Sequence, residues 1–143
     1  VRFNKFPYLQ EGDGLYMCQS APEIRLAEIY YMLAEIYYRA GNKGKAAELL
    51  DHVRVRNYPA DQWNKYSYAQ NPTLLTDQEF IDEWGREFIG ERRRRMDLIR
   101  WGRFGDAWWD KGVDPNDKEY TIFPIPKRQL DANPLLKQTT KGW

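Results

Sequence analysis

From Glu23 to Tyr38 the chain reads EIRLAEIYYMLAEIYY, with few polar positions. At about 100° per residue, Arg25, Glu28, Glu35 and Arg39 fall within a stripe only about 80° wide, with Met32 inside it. A surface helix needs an apolar stripe over only about a third of its circumference. The pattern therefore predicts a helix covered on nearly every side, at the centre of an assembly. Ser20, three residues before Glu23, and Pro22 supply a start signal of the capping-box kind. Gly41-Asn42 marks the end, because glycine accepts the left-handed conformation that closes a helix. A second helix is predicted from about Lys43 to Arg56. It has Ala46, Ala47, Leu49, Leu50 and Val53 on one face and Lys45, Glu48, Asp51 and His52 on the other.

The rest of the chain is less regular. Residues 1–19, with Pro7, Gly12 and Gly14, read as extended or loop structure. Residues 58–75 form a polar-aromatic connection. Thr76 and Glu79 make another capping box, opening a helix with Phe80, Ile81, Trp84 and Phe88 on one side. Gly85 and Gly90 weaken that helix by about 1 kcal/mol each relative to alanine, and leave room for another helix to approach. The helical pattern resumes from Glu91 to Phe104. An irregular stretch follows around Asp114–Asp117, then an extended run from Tyr120 to Pro126, a short helix at Lys127–Ala132 and a polar tail. The pairs Trp84/Phe88 and Trp101/Phe104 recur at helical spacing and read as core. Trp108 and Trp109 are adjacent, so one of them is the less buried.

Composition narrows the function classes. With 143 residues and 42% hydrophobic content the chain has single-domain size. It begins at Val1 with no signal segment, and no run reaches the ~20 apolar residues that span a bilayer. Together with the over-covered first helix, this reads as a piece of a longer protein. Net charge is +1, from 22 basic and 21 acidic residues, so no field favours nucleic acid. Cys18 is the one cysteine; it has no internal disulfide partner and no upstream hydrophobic segment to mark a lipid site.

Four candidate constellations reduce to structural roles. In the run Arg92–Arg95, Glu91 stands i,i+4 from Arg95 and Arg93 from Asp97, as in helix ion pairs. Consecutive helical residues also point in different directions, so they form no basic stripe. Glu28 and Glu35 share a helix face, but Arg25 and Arg39 flank them as ion-pair partners rather than leaving a catalytic carboxylate pair. His52 lacks any zinc-like ligand spacing. No phosphate loop or nucleophile motif occurs, and no enzyme, cofactor or metal is expected. Trp63, Tyr66 and Tyr68 differ, since they sit among Asn, Gln and Ser. Flat rings beside amide groups suit the apolar faces and hydroxyl edges of a sugar, which makes these three the candidate glycan-binding residues. The competing reading is that the rings fasten the connection to the helices below.

Residues 23–57 resemble a tetratricopeptide helix pair. Tyr30, Leu33, Ala34 and Tyr37 occupy its first-helix positions, and Ala46 and Leu50 those of the second. Only one unit is legible, and such units need neighbours. Three segments in order, EIRLAEIYYMLAEIYYRAGN to HVRVR, EWGREFIGERRRRMDLIRWGRF and FPIPKRQLDANPLLKQ, resemble the C-terminal part of the SusD/RagB family over roughly residues 20–138. The resemblance implies a mainly α fold, a tetratricopeptide-like hairpin packed with further helices and irregular extended segments. Residues 1–143 would then be the C-terminal helical domain of a longer chain. It further implies a non-catalytic component of a glycan uptake complex at the outer-membrane surface. Such a component captures oligosaccharide or another nutrient for a TonB-dependent, SusC-like transporter, and is held by an N-terminal lipid anchor that this chain lacks. The alternative is a tetratricopeptide-type adaptor that grips a peptide.

Overall fold

Helix α1 spans Leu26–Arg39 and helix α2 Lys43–Arg54 in a computed structural model that describes residues 9–11, 14–16, 23–115 and 120–140. The chain is mainly helical and divides into two compact units, residues 1–94 and 95–143. The first unit also holds a short antiparallel pair, β1 (Leu9–Glu11) and β2 (Gly14–Tyr16), with Leu9 opposite Tyr16. Cys18, Ser20 and Pro22 lie outside the described residues. Helix α1 starts later than the capping pattern predicts: Arg25 holds the N-cap position in extended conformation without a side-chain cap. The hairpin turn matches expectation, with Gly41 at φ +84° and the Asn42 side chain accepting from the Lys45 amide at 3.1 Å to cap α2.

The faces of α1 depart most from the sequence reading. Ala27, Tyr31, Ala34 and Tyr38 turn inward, and α1 packs against α2, whose Ala46, Ala47 and Leu50 are buried. The opposite face carries Leu26, Ile29, Leu33 and Ile36, which are 40 to 70% exposed within this chain, so the helix is not wrapped all round here. The charged stripe instead turns toward the interior, where Glu28 and Glu35 are buried. Their burial is tolerated because each has a cation: Glu35 accepts from Arg39 at 2.8 Å and Glu28 from Arg93. Arg25 does not serve Glu28. It reaches Glu87 at 2.6 Å and Glu91 at 2.7 Å, and its guanidinium lies 4.3 Å from the Phe88 ring centre. Burial works to lower the Arg25 pKa, but these two carboxylates outweigh it and raise it.

Helix α3 (Trp63–Tyr66) lies in the connection between α2 and α4, which spans Asp77–Glu87. Thr76 caps α4 by accepting from the Glu79 amide at 3.2 Å, as the capping box predicts. Phe80, Ile81, Trp84 and Phe88 are buried, each worth about 1.5–3 kcal/mol of apolar burial. Tyr31 meets Trp84 and Phe88 edge-on at 5.2 and 5.4 Å between ring centres. The helix does not run on smoothly: Gly90 (φ +79°) and Arg92 (φ +60°) turn the chain before α5, Arg94–Arg100. Glu91 and Arg93 consequently lie ahead of α5, and their ion pairs reach Arg25 and Glu28 on distant sequence. Arg94 donates to the Ile81 carbonyl at 2.6 Å, and its guanidinium, not a neighbouring helix, occupies the space beside Gly85.

In the second unit, Arg95 donates to the Tyr120 carbonyl at 2.6 Å and lies over the Phe123 and Phe104 rings. Trp108 and Lys111 exchange backbone hydrogen bonds of 2.8 and 3.0 Å, leaving Trp109 almost wholly exposed at the turn while Trp108 is half-buried. Trp101 and Phe104 are half-buried, not full core. Helix α6 covers Lys127–Ala132 as predicted, and the Gln138 side chain exchanges hydrogen bonds with the Ile125 backbone.

Candidate functional site

The connection that carries Trp63, Tyr66 and Tyr68 is built on a buried carboxylate. Asp51, which the helical wheel places on the polar side of α2, is buried. It accepts from the Ser67 hydroxyl at 2.6 Å and from the Tyr68 and Ala69 amides at 3.0 Å each. An irregular segment needs acceptors for its backbone N–H groups, and Asp51 supplies them. Asn71 adds side-chain bonds to the Asn64 and Ser67 carbonyls at 2.7 and 3.0 Å.

Tyr68 is buried beneath the connection. The Arg54 guanidinium covers its ring at 3.8 Å, and its hydroxyl donates to Glu79 at 2.5 Å and accepts from Arg54 at 2.7 Å and Arg86 at 3.2 Å. This ring fastens the connection to the helices, in line with the competing reading of the sequence. Arg54 is the hub: it pairs with Glu83 and donates to the Tyr66 carbonyl at 3.0 Å. Tyr31 completes the group from α1, donating to Glu83 at 2.6 Å. Burial, and then Glu83, raise the pKa of both Tyr31 and Tyr68. For Arg86, burial pulls the pKa down, but Glu83 and Glu79 prevail and raise it.

These tyrosines set an alkaline limit. Their folded pKa lies above the unfolded value near ~10, so their contribution is complete below that pH and falls as pH rises past it. Stability in urea titrations is expected to be flat from pH 8 to about 9.5 and then to drop by roughly 1 kcal/mol per tyrosine per pH unit. A flat profile to pH 11 (about one unit past the unfolded value) would contradict the buried hydroxyl assignment.

Trp63 and Tyr66 stand differently. Both are half-buried on α3, and Tyr58 joins them, stacked on Tyr66 at 4.4 Å and 5.9 Å from Trp63 between ring centres. Tyr58 also lines a cleft of about 250 Å³ with Asn57, Glu83, Arg86 and Glu87. The cleft is smaller than the usual ~300–1,000 Å³ ligand pocket, so it admits the end of a ligand, and of the three rings Tyr58 alone lines it. Tyr58, Asn57 and Arg86 escaped the sequence reading. Tyr58 had a signal, as another aromatic at the edge of the same connection; Arg86 had none beyond its place on α4. His52 is exposed beside Tyr30, and no group of acidic, His and Cys residues among the described residues could hold a metal. Among the described residues no helix is long and apolar enough to cross a membrane.

The model of the SusD family matches residues 2–143. The starch-binding protein SusD of Bacteroides thetaiotaomicron is 36% identical over 134 residues, covering 89% of this chain and 22% of the relative. A SusD-like protein of Formosa agariphila is 30% identical over 122 residues, covering 80% of this chain and 23% of that protein. The chain thus spans between a fifth and a quarter of the length of these curated relatives.

Proposed function

Because the chain belongs to the SusD family, we propose that it is the C-terminal helical part of a non-catalytic glycan-binding protein. In this reading the full-length protein sits lipid-anchored on the outer membrane and captures oligosaccharide for a TonB-dependent transporter. The scaffold of α1, α2 and α4 holds the rings, and Trp63 and Tyr66, with Tyr58, offer a stacking wall beside the cleft. Tyr68 contributes by fixing the connection from below. The observation that carries the reading is this half-open cluster of three rings, of which Tyr58 also lines a cleft that holds the Asn57 amide and the Arg86 guanidinium beside Glu83 and Glu87. A sugar ring offers the matching chemistry, an apolar face for stacking and hydroxyls for the donors.

Affinity electrophoresis of the full-length protein against a panel of polysaccharides tests it. At least one glycan is expected to retard the protein, and Trp63→Ala to weaken that retention by about 5–30-fold, the equivalent of roughly 1–2 kcal/mol. Absence of retardation by every glycan tested would count against the proposal. The adaptor reading draws on the exposed aliphatic face of α1 alone, and predicts peptide binding that Trp63→Ala leaves intact.

A further inference from the structure

Resting on the glycan reading of the cleft, we infer that the sugar it takes is uncharged, and that uronate- or sulfate-bearing chains are excluded. The argument is the balance of charge around the cleft. Arg25, Arg54, Arg56 and Arg86 supply four cations, and Glu79, Glu83, Glu87 and Glu91 four carboxylates, each joined to at least one of those arginines. Asp51 beneath adds a further negative charge 3.9 Å from Arg54. Among these nine residues no cation is in surplus.

The pairing is also specific at the cleft wall. Glu83 meets Arg54, Arg86 and the Tyr31 hydroxyl, while Glu87 meets both Arg25 and Arg56. Both carboxylates are buried, so an anion that drew Arg56 or Arg86 away would leave a carboxylate short of a partner in a poorly solvated place. An anion that did not draw them away would approach Glu83 and Glu87, and would meet guanidiniums whose charge the neighbouring carboxylates already offset. A hydroxyl asks for less. Arg56 and Arg86 are half-exposed at 54 and 48%, and a guanidinium has five N–H donors, so each can donate to a sugar oxygen while keeping its carboxylate. The exposed Asn57 amide adds a donor and an acceptor. Such a wall recognises hydroxyls through charged donors whose charge is already cancelled.

The test uses the full-length protein in affinity gels containing starch, galactomannan or xyloglucan, and in gels containing polygalacturonate or a sulfated galactan. Trp63-dependent retardation is expected in a neutral gel alone, changing by less than about twofold across ~0.02–0.3 M salt. Glu87→Gln, with folding verified by circular dichroism, removes one carboxylate and leaves Arg56 uncompensated. It is expected to gain salt-sensitive retardation of about fivefold or more in an acidic gel. Trp63-dependent retention of the native protein by an acidic polysaccharide, weakening with salt, would overturn the inference and leave the glycan reading standing. The absence of Trp63-dependent retention in every gel would remove that reading, and the inference with it.

Discussion

A Glu83→Ala protein is expected to lose about 3–5 kcal/mol of stability, with a urea midpoint lower by roughly 2 M. Glu83 is buried and faces the guanidinium of Arg54, itself buried. Removing Glu83 leaves Arg54 charged, with Asp51 at 3.9 Å as its one remaining ion-pair partner among the described residues, where water cannot replace the lost carboxylate. Arg54 also retains contacts with Tyr68 and the Tyr66 carbonyl, but neither carries an opposite charge. Tyr31 loses its hydrogen-bond acceptor as well. With total stability of about 5–15 kcal/mol for an ordinary domain, such a loss approaches the whole. The double replacement Arg54→Met with Glu83→Leu is expected to recover part of it, because the buried charge is gone while the Tyr31 hydroxyl still lacks its acceptor. A single-variant loss below about 1 kcal/mol would show that the pair is not held in a low-dielectric setting.

Asp51→Ala is expected to cost about 2–4 kcal/mol, and to do so locally. It deletes the acceptor of the Ser67 hydroxyl and of the Tyr68 and Ala69 amides. The helix hairpin would persist, while residues 63–69 lose their hold on α2. Trp63 fluorescence should report greater water exposure, and glycan retention should fall together with it. Asp51→Asn keeps one oxygen acceptor and should lie between the two. Equal behaviour of Asp51→Ala and the native protein in both urea and fluorescence titrations would refute the anchoring role.

Local signals explain what could be read in advance. Thr76/Glu79, Gly41-Asn42 and the spacing of Phe80, Ile81, Trp84 and Phe88 act within one or two turns, so the elements they mark are where the sequence places them. The orientation of α1 was not local. Its polar stripe is acidic at Glu28 and Glu35; Arg39 serves Glu35 locally, but the cation that makes an inward Glu28 acceptable is Arg93, 65 residues away. Asp51 misled for the same reason: its partners belong to an irregular connection with no periodicity to announce them. The arginine run illustrates both sides. Its role in ion pairing was legible from charge balance, but Glu28 as a partner of Arg93 was not, because it lies 65 residues away and Gly90 and Arg92 turn the chain before α5. At the candidate site, Trp63 and Tyr66 were visible as aromatic letters in a polar connection. The stacking of Tyr58 against Tyr66 was not, because it depends on the turn at Val55–Asn57.

The clamp between Asp51 and residues 67–69 has a kinetic consequence. A sugar-facing loop that hung loosely would have to be immobilised at each encounter, and that loss of freedom would be subtracted from affinity. If the proposed glycan role holds, the rings take their places when the chain folds, so a passing saccharide would meet a surface already shaped. Capture should then be limited by diffusion and orientation, and release by how firmly the rings grip.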